Sequence, residues 1–437
     1  MKTAPRPDRR LFLKRGALAL LALGVPPRFL ARALAVETGA AERRKTLVCV
    51  FQRGAVDGLN MIIPFGEPAY YAARRSIALA APSARDGGSA IDLDGFFGLH
   101  PELAPLVPLW REGELAVVHA CGSPHPTRSH FEAQDYMETA TPGAARRDGW
   151  LNRVLAARAA HAADHATGQA RLADGGALRG VAISPDLPLS LRGPSPALAI
   201  SDLASFGLAA EGEGGLVSLE RSLAGLYRAA GTDALGAAGA ETFAAVERLA
   251  RIDPARYRPR PGAAYEGTFG HALRQVAQLV KADVGLEVAF VEIDGWDTHL
   301  AQGGANGRMA LQLRTLARGL RAFHDDLGDR MEDVVVLTMS EFGRTVAENG
   351  SGGTDHGHGN CMLAFGGRVD GGRVLGAWPG LAPESLDGGR DLAVTTDFRD
   401  VFAEITAVHL GARRLDEVFP GYPPDPARWP GVVAGAG

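Results

Sequence analysis

"TLVCVFQRGAVDGLN", residues 46–60, changes character halfway along. Residues 46–51 are a continuous apolar run, too short for a helix and β-branched at three positions. The next residues open into a glycine-containing polar loop that ends near Asp57. An uninterrupted apolar run of this length predicts a strand buried on both faces, the kind found in parallel sheets.

The same pattern recurs downstream. "ELAVVHACGS" (114–123) reads as a strand, then a loop, then "PTRSHFEAQDYME", a helix that Thr127 or Ser129 can cap. A helical pattern over residues 272–281 precedes the strand "EVAFVEI" (287–293) and the loop "DGWDTH" (294–299). An amphipathic helix over residues 308–327 leads to "DVVVLTM" (333–339), "SEFGRT" (340–345), "GTDHGHGN" (353–360) and the strand "CMLAFGG" (361–367). Strand and helix alternate, which predicts an α/β fold with a mostly parallel central sheet flanked by helices. Each polar motif follows a strand, on the edge where such sheets assemble ligand sites.

Residues 151–261 are different: rich in Ala, Gly and Leu, weakly patterned and without a polar cluster. They are expected to form an inserted, mainly helical cap on a domain spanning residues 36–437. Ahead of that domain, "DRRLFLKRGALALLALGVPPRFLARALA" sets Arg9 and Arg10 before a short apolar run and an Ala33-x-Ala35 cleavage pattern. That order predicts a twin-arginine signal peptide over residues 1–35, with export to the periplasm or beyond.

The 437 residues carry a formal net charge of −4. Removing the leader, with its eight Lys/Arg and one Asp, takes the charge to −11. So acidic a chain argues against nucleic acid or an anionic membrane as partner. No apolar run reaches the roughly 18–20 residues of a membrane span. Three cysteines far apart in sequence make no disulfide framework and are expected to be buried thiols.

The strand-end loops offer Asp57, Asp297, His299, Glu341, Asp355, His356 and His358 as candidate ligands. Carboxylates and imidazoles without thiolates suit zinc or manganese, one or two ions per chain. Each has a plainer alternative: Asp57 and Asp297 as turn or cap residues, His299 as a surface imidazole, Glu341 as a partner of Arg344. Asp-His-x-His between glycines is the most specific of the group. Arg128 and Arg344 are candidates for holding an anionic oxygen, with ordinary salt bridges as the alternative. His125 and His130 flank the helix start and could assist.

The motifs "FQRGAVDGLNMIIPFGEPAYYAARRSIAL", "SPHPTRSHFEAQDYME", "GWDTH" and "SEFGRT…GTDHGHGN" resemble domain-of-unknown-function family 1501, across residues 46–421. That family is grouped with the alkaline phosphatase and sulfatase superfamily, so the resemblance implies an alkaline-phosphatase-like three-layer sandwich with a metal site at the sheet edge. It also implies roles: Ser129, or else Thr127, as nucleophile; Asp57, Asp355 and His356 around one metal; Asp297 and His299 around the other. Two features depart from the superfamily. The middle Asp and His stand only one residue apart, and no counterpart of the last histidine ligand is evident. "CGSPHPTR" also lacks the Cys-x-Pro-x-Arg order that a sulfatase needs.

The expected function is therefore a metal-dependent hydrolase of small phosphate or sulfate esters, working through a Ser129 covalent intermediate. The rival is an exported binding or assembly module on the same fold, with one structural metal or none.

Overall fold

The computed structural model describes residues 43–83, 87–165, 176–204, 249 and 256–435. The expected signal peptide, residues 1–35, lies outside the described residues, as do the parts of the expected cap at 166–175, 205–248 and 250–255.

The core is a nine-stranded sheet. Its strands in chain order are β1 (Thr46–Gln52), β2 (Leu115–Gly122), β3 (Gly180–Ala182), β4 (Leu198–Ala199), β5 (Val288–Ile293), β6 (Val334–Met339), β7 (Asn360–Gly366), β8 (Arg373–Leu375) and β9 (Thr396–Asp397). The spatial order is β8-β2-β7-β6-β1-β5-β3-β4, with β9 also pairing β2. β7 pairs antiparallel with both β2 and β6, while every other pairing in this sheet is parallel. One reversed strand in a parallel sheet has a direct consequence. The start of β7 and the ends of β1, β2, β5 and β6 all lie on the same edge.

The apolar runs fill both faces by alternation. Leu47, Cys49, Phe51, Phe290, Val335 and Leu337 face one side; Val48, Val50, Ala289, Val291, Val334 and Val336 face the other. Helices cover both. On the first side, α2 (Trp150–His165) and α5 (Phe398–Glu404) contribute Trp150, Val154, Val401 and Phe402, with Trp150 stacked on Phe402 at 4.2 Å between centroids. On the second, α3 (Gly267–Lys281) and α4 (Arg308–Leu327) contribute Leu273, Val276, Leu313, Leu316 and Leu320. Each fully buried Leu, Val or Phe of this kind contributes roughly 1.5–3 kcal/mol. The remaining long helix near the edge is α1 (His130–Thr139).

Within the expected cap, residues 151–165 and 176–204 are described and join the central sheet. α2 packs on the sheet, and β3 and β4 extend the sheet beyond β5. Strands of three and two residues carry too little periodicity to read from sequence. No described helix is long and apolar enough to cross a membrane. All three cysteines are free and buried, as expected.

Candidate functional site

At the shared edge, β5 runs into Asp294-Gly295-Trp296-Asp297-Thr298-His299. Trp296 and Thr298 turn inward and are buried. The Trp296 indole donates to the Ile293 carbonyl at 2.9 Å, and Thr298 Oγ1 donates to Gln302 Oε1 at 2.8 Å. With alternate residues anchored inside, Asp297 and His299 project to the same outer side, 47% and 41% exposed. The one-residue spacing therefore suits an extended segment, where residues i and i+2 share a face.

The glycine-flanked loop 353–358 lies directly against neighbouring backbone. A Cβ on Gly353 would sit 2.3 Å from the Thr298 carbonyl oxygen, and one on Gly357 would sit 2.3 Å from Arg344 C. Glycine is needed there for close approach, which brings His356 beside His299. His130 arrives from the first turn of α1.

Three imidazoles meet at this point. His356 Nε2 is 2.9 Å from His130 Nε2 and 2.9 Å from His299 Nε2. Asp297 Oδ1 lies 3.0 Å from His299 Nε2, 3.3 Å from His356 Nε2 and 3.7 Å from His130 Nε2. Ligand atoms of His130, Asp297 and His356 all fall within 4.8 Å of one another. The far side of each ring is also engaged. His130 Nδ1 meets Glu341 Oε1 at 2.7 Å, His299 Nδ1 meets Asp355 Oδ1 at 2.8 Å, and His356 Nδ1 meets the Arg128 carbonyl at 3.0 Å. Every Nδ1 faces an oxygen acceptor, and in the neutral rings, with Nδ1 donating, each Nε2 keeps its lone pair. Three lone pairs and a carboxylate oxygen converging at these distances repel unless a cation sits among them. Carboxylate or carbonyl support behind each imidazole is the usual arrangement around a metal-binding histidine.

The electrostatics are tightly balanced. Burial pushes the Glu341 carboxyl up, but hydrogen bonds from His130, Gln134 and the Gly54 amide hold it below the usual range. The Glu341 hydrogen bond in turn raises His130 against its burial. His356 is pushed down by burial and then by the charges of His130 and Arg344. Asp297 stays below the usual carboxylate range because Arg344 outweighs its burial.

The other candidate residues take other places. Asp57 is not in the cluster: its carboxylate is buried, paired with Arg74 at 2.6 and 3.0 Å, and takes Gln302 Nε2 at 2.6 Å. His358 engages Asp387 through Nδ1 at 2.6 Å and the Ser123 carbonyl through Nε2 at 2.7 Å, so both ring nitrogens already have partners outside the cluster. Glu341 and Asp355 stand behind His130 and His299, orienting them. Arg344 is buried, and its guanidinium donates to the carbonyls of Gly54, Ala55, Trp296 and Thr354 and to Asp297, so it braces the surrounding loops and the Asp297 carboxylate. Ser129 is the exposed N-cap of α1, and none of the cluster's hydrogen bonds reaches its hydroxyl. Thr127 Oγ1 donates to Glu132 at 2.6 Å. His130 takes the inward position beside them. It is the first helical residue after a strand and loop, a place that marks it in the sequence as plainly as the hydroxyls beside it.

Together these features define an α/β protein with a parallel-type sheet and an imidazole–carboxylate cluster at its ligand edge. The chain belongs to the family described as a protein of unknown function, DUF1501, which it matches over residues 113–415. No curated protein matches the chain.

Proposed function

We propose that the chain is an exported, metal-dependent hydrolase of phosphate or sulfate esters, with one divalent ion held by His130, His299, His356 and Asp297. The observation that carries this reading is the convergence of three Nε2 atoms and Asp297 Oδ1, each ring anchored from behind. Three nitrogens and one oxygen favour zinc, with manganese next. Structural sites are closed, whereas catalytic ones keep an open side; the outward exposure of Asp297 and His299 supports the second kind. An ion there would supply Lewis acidity toward an ester oxygen. The protein's part is to orient the rings through Glu341, Asp355 and the Arg128 carbonyl. With Ser129 outside the cluster, water adds its oxygen to phosphorus or sulfur as the ester oxygen leaves and takes up a proton.

The position of Ser129 also favours a second reading, a binding or assembly module that keeps the ion without turnover. Metal analysis of the exported protein beside His356→Ala, followed by an ester screen, separates the two. About one equivalent of zinc or manganese, lost in the variant, with ester turnover, supports the hydrolase. Metal without turnover on any ester selects the module. No metal in the wild type, and none taken up on titration, removes the hydrolase and leaves a module that holds no ion.

A further inference from the structure

We infer that Arg128 and Arg390, held as a pair by the buried carboxylate of Asp391, form the subsite that grips a tetrahedral oxyanion, the phosphate or sulfate group of the ligand. The inference rests on the proposed ester chemistry and names the residues that would select for the anion. The side chain of Asp391 is fully buried, and it accepts from Arg128 Nη2 at 2.5 Å and from Arg390 Nε at 2.9 Å and Nη2 at 3.4 Å. Asp391 is itself fixed by a tight turn: its amide donates to the Asp387 carbonyl at 3.0 Å, and the Asp387 amide donates back at 2.9 Å.

Two guanidinium groups on one carboxylate leave one positive charge in excess, beside the cluster. Both arginines are tied to His356. The Arg128 carbonyl accepts from the His356 ring, and Arg390 Nη2 donates to the His356 carbonyl. Both guanidinium groups are also open to solvent, 45% and 44% exposed. Among the described residues, Arg128 Nε and Nη1 and Arg390 Nη1 have no protein partner. Arg344, by contrast, is fully buried and already bonds four carbonyls and Asp297, whereas Arg128 and Arg390 face solvent. A rigid guanidinium fork matches two oxygens of a phosphate or sulfate, which an ammonium does not. A buried carboxylate behind two exposed arginines limits their rotamer freedom before a ligand arrives, which lowers the cost of binding.

The test is calorimetric titration of inorganic phosphate, and separately of sulfate, into the full-length metal-loaded protein and into Arg390→Gln, Arg128→Gln and Arg390→Lys. Loss of one charged hydrogen-bonding partner should weaken phosphate about 10- to 100-fold in each Gln variant. Metal content should be unchanged, each Gln variant should melt somewhat lower because buried Asp391 loses one of its two guanidinium partners, and Arg390→Lys should recover only part of the loss in phosphate binding. The phosphate and sulfate arms decide which ester class the clamp prefers. The inference is overturned if both Gln variants bind phosphate as tightly as wild type, or if wild type binds neither anion. The two ideas fail separately. Phosphate bound by the clamp without ester turnover removes the hydrolase and leaves the subsite, whereas turnover unaffected by Arg390→Gln and Arg128→Gln removes the subsite alone.

Discussion

Two loops leave neighbouring strands with an acidic residue a few positions on, and they come to opposite ends. After β1, Asp57 is sealed inside the protein, with Arg74 and Gln302 on its oxygens and Tyr70 and Asn60 completing the network. After β5, Asp297 stays half open beside three imidazoles whose Nε2 atoms point at one another. In sequence the two are alike: a strand, a glycine, an aspartate. The difference lies in what the neighbours leave unspent. A saturated carboxylate holds the fold together, and one facing unused lone pairs is available for ligand chemistry.

The strongest challenge to this contrast is Arg74→Met. It leaves the Asp57 charge buried without its partner, which costs about 3–5 kcal/mol. Urea unfolding should show that loss while the folded fraction binds metal as before; a drop in metal affinity at full stability would mean Asp57 belongs to the site after all.

Histidines divide in the same way, and acid separates them. Burial pushes His119 down to about 4, in a ring that accepts from the Ala120 amide at 2.8 Å and lies 3.2 Å from the Ile62 carbonyl. The unfolded chain protonates this histidine near pH 6.5, before the folded one does. Stability from it is therefore complete above about pH 6.5, falls as the pH drops toward 4, and changes no further below that. The loss is up to about 3 kcal/mol. Denaturation midpoints at pH 7 and 4.5 should separate accordingly, and His119→Phe should flatten the difference.

Asp355→Ala gives a smaller effect. Removing the group behind His299 should weaken metal about 10- to 100-fold without abolishing it. Complete loss would place Asp355 among the ligands themselves. Smallest of all is Ser129→Ala at an exposed cap whose side chain makes no capping bond: under about 0.5 kcal/mol in stability, with ester turnover retained. Loss of turnover in that variant would restore the covalent route.

Much of the frame was legible because strong patterns leave few alternatives. The apolar run read at residues 46–51 is β1, and the amphipathic period at 308–327 is α4. The loop 294–299 and the Asp-His-x-His stretch stand out as polar clusters beside apolar runs, and His299, His356 and Asp297 do meet. What stayed hidden depends on distant partners. Arg74 lies 17 positions from Asp57 and nothing local announces the pair. The reversal of β7 leaves no mark in a run that is apolar on both faces. His358 looks equal to His356 until Asp387 takes its ring.

The three buried thiols bear on how all this can be measured. Cys49, Cys121 and Cys361 sit in β1, β2 and β7, and burial pushes each far above the usual thiol range. A thiol reacts and binds metal as its anion, so the native chain stays silent to a chromogenic disulfide reagent. Any zinc counted on the folded protein would then sit on imidazole and carboxylate. The appearance of colour becomes a clock for the opening of the sheet, read at three strands at once.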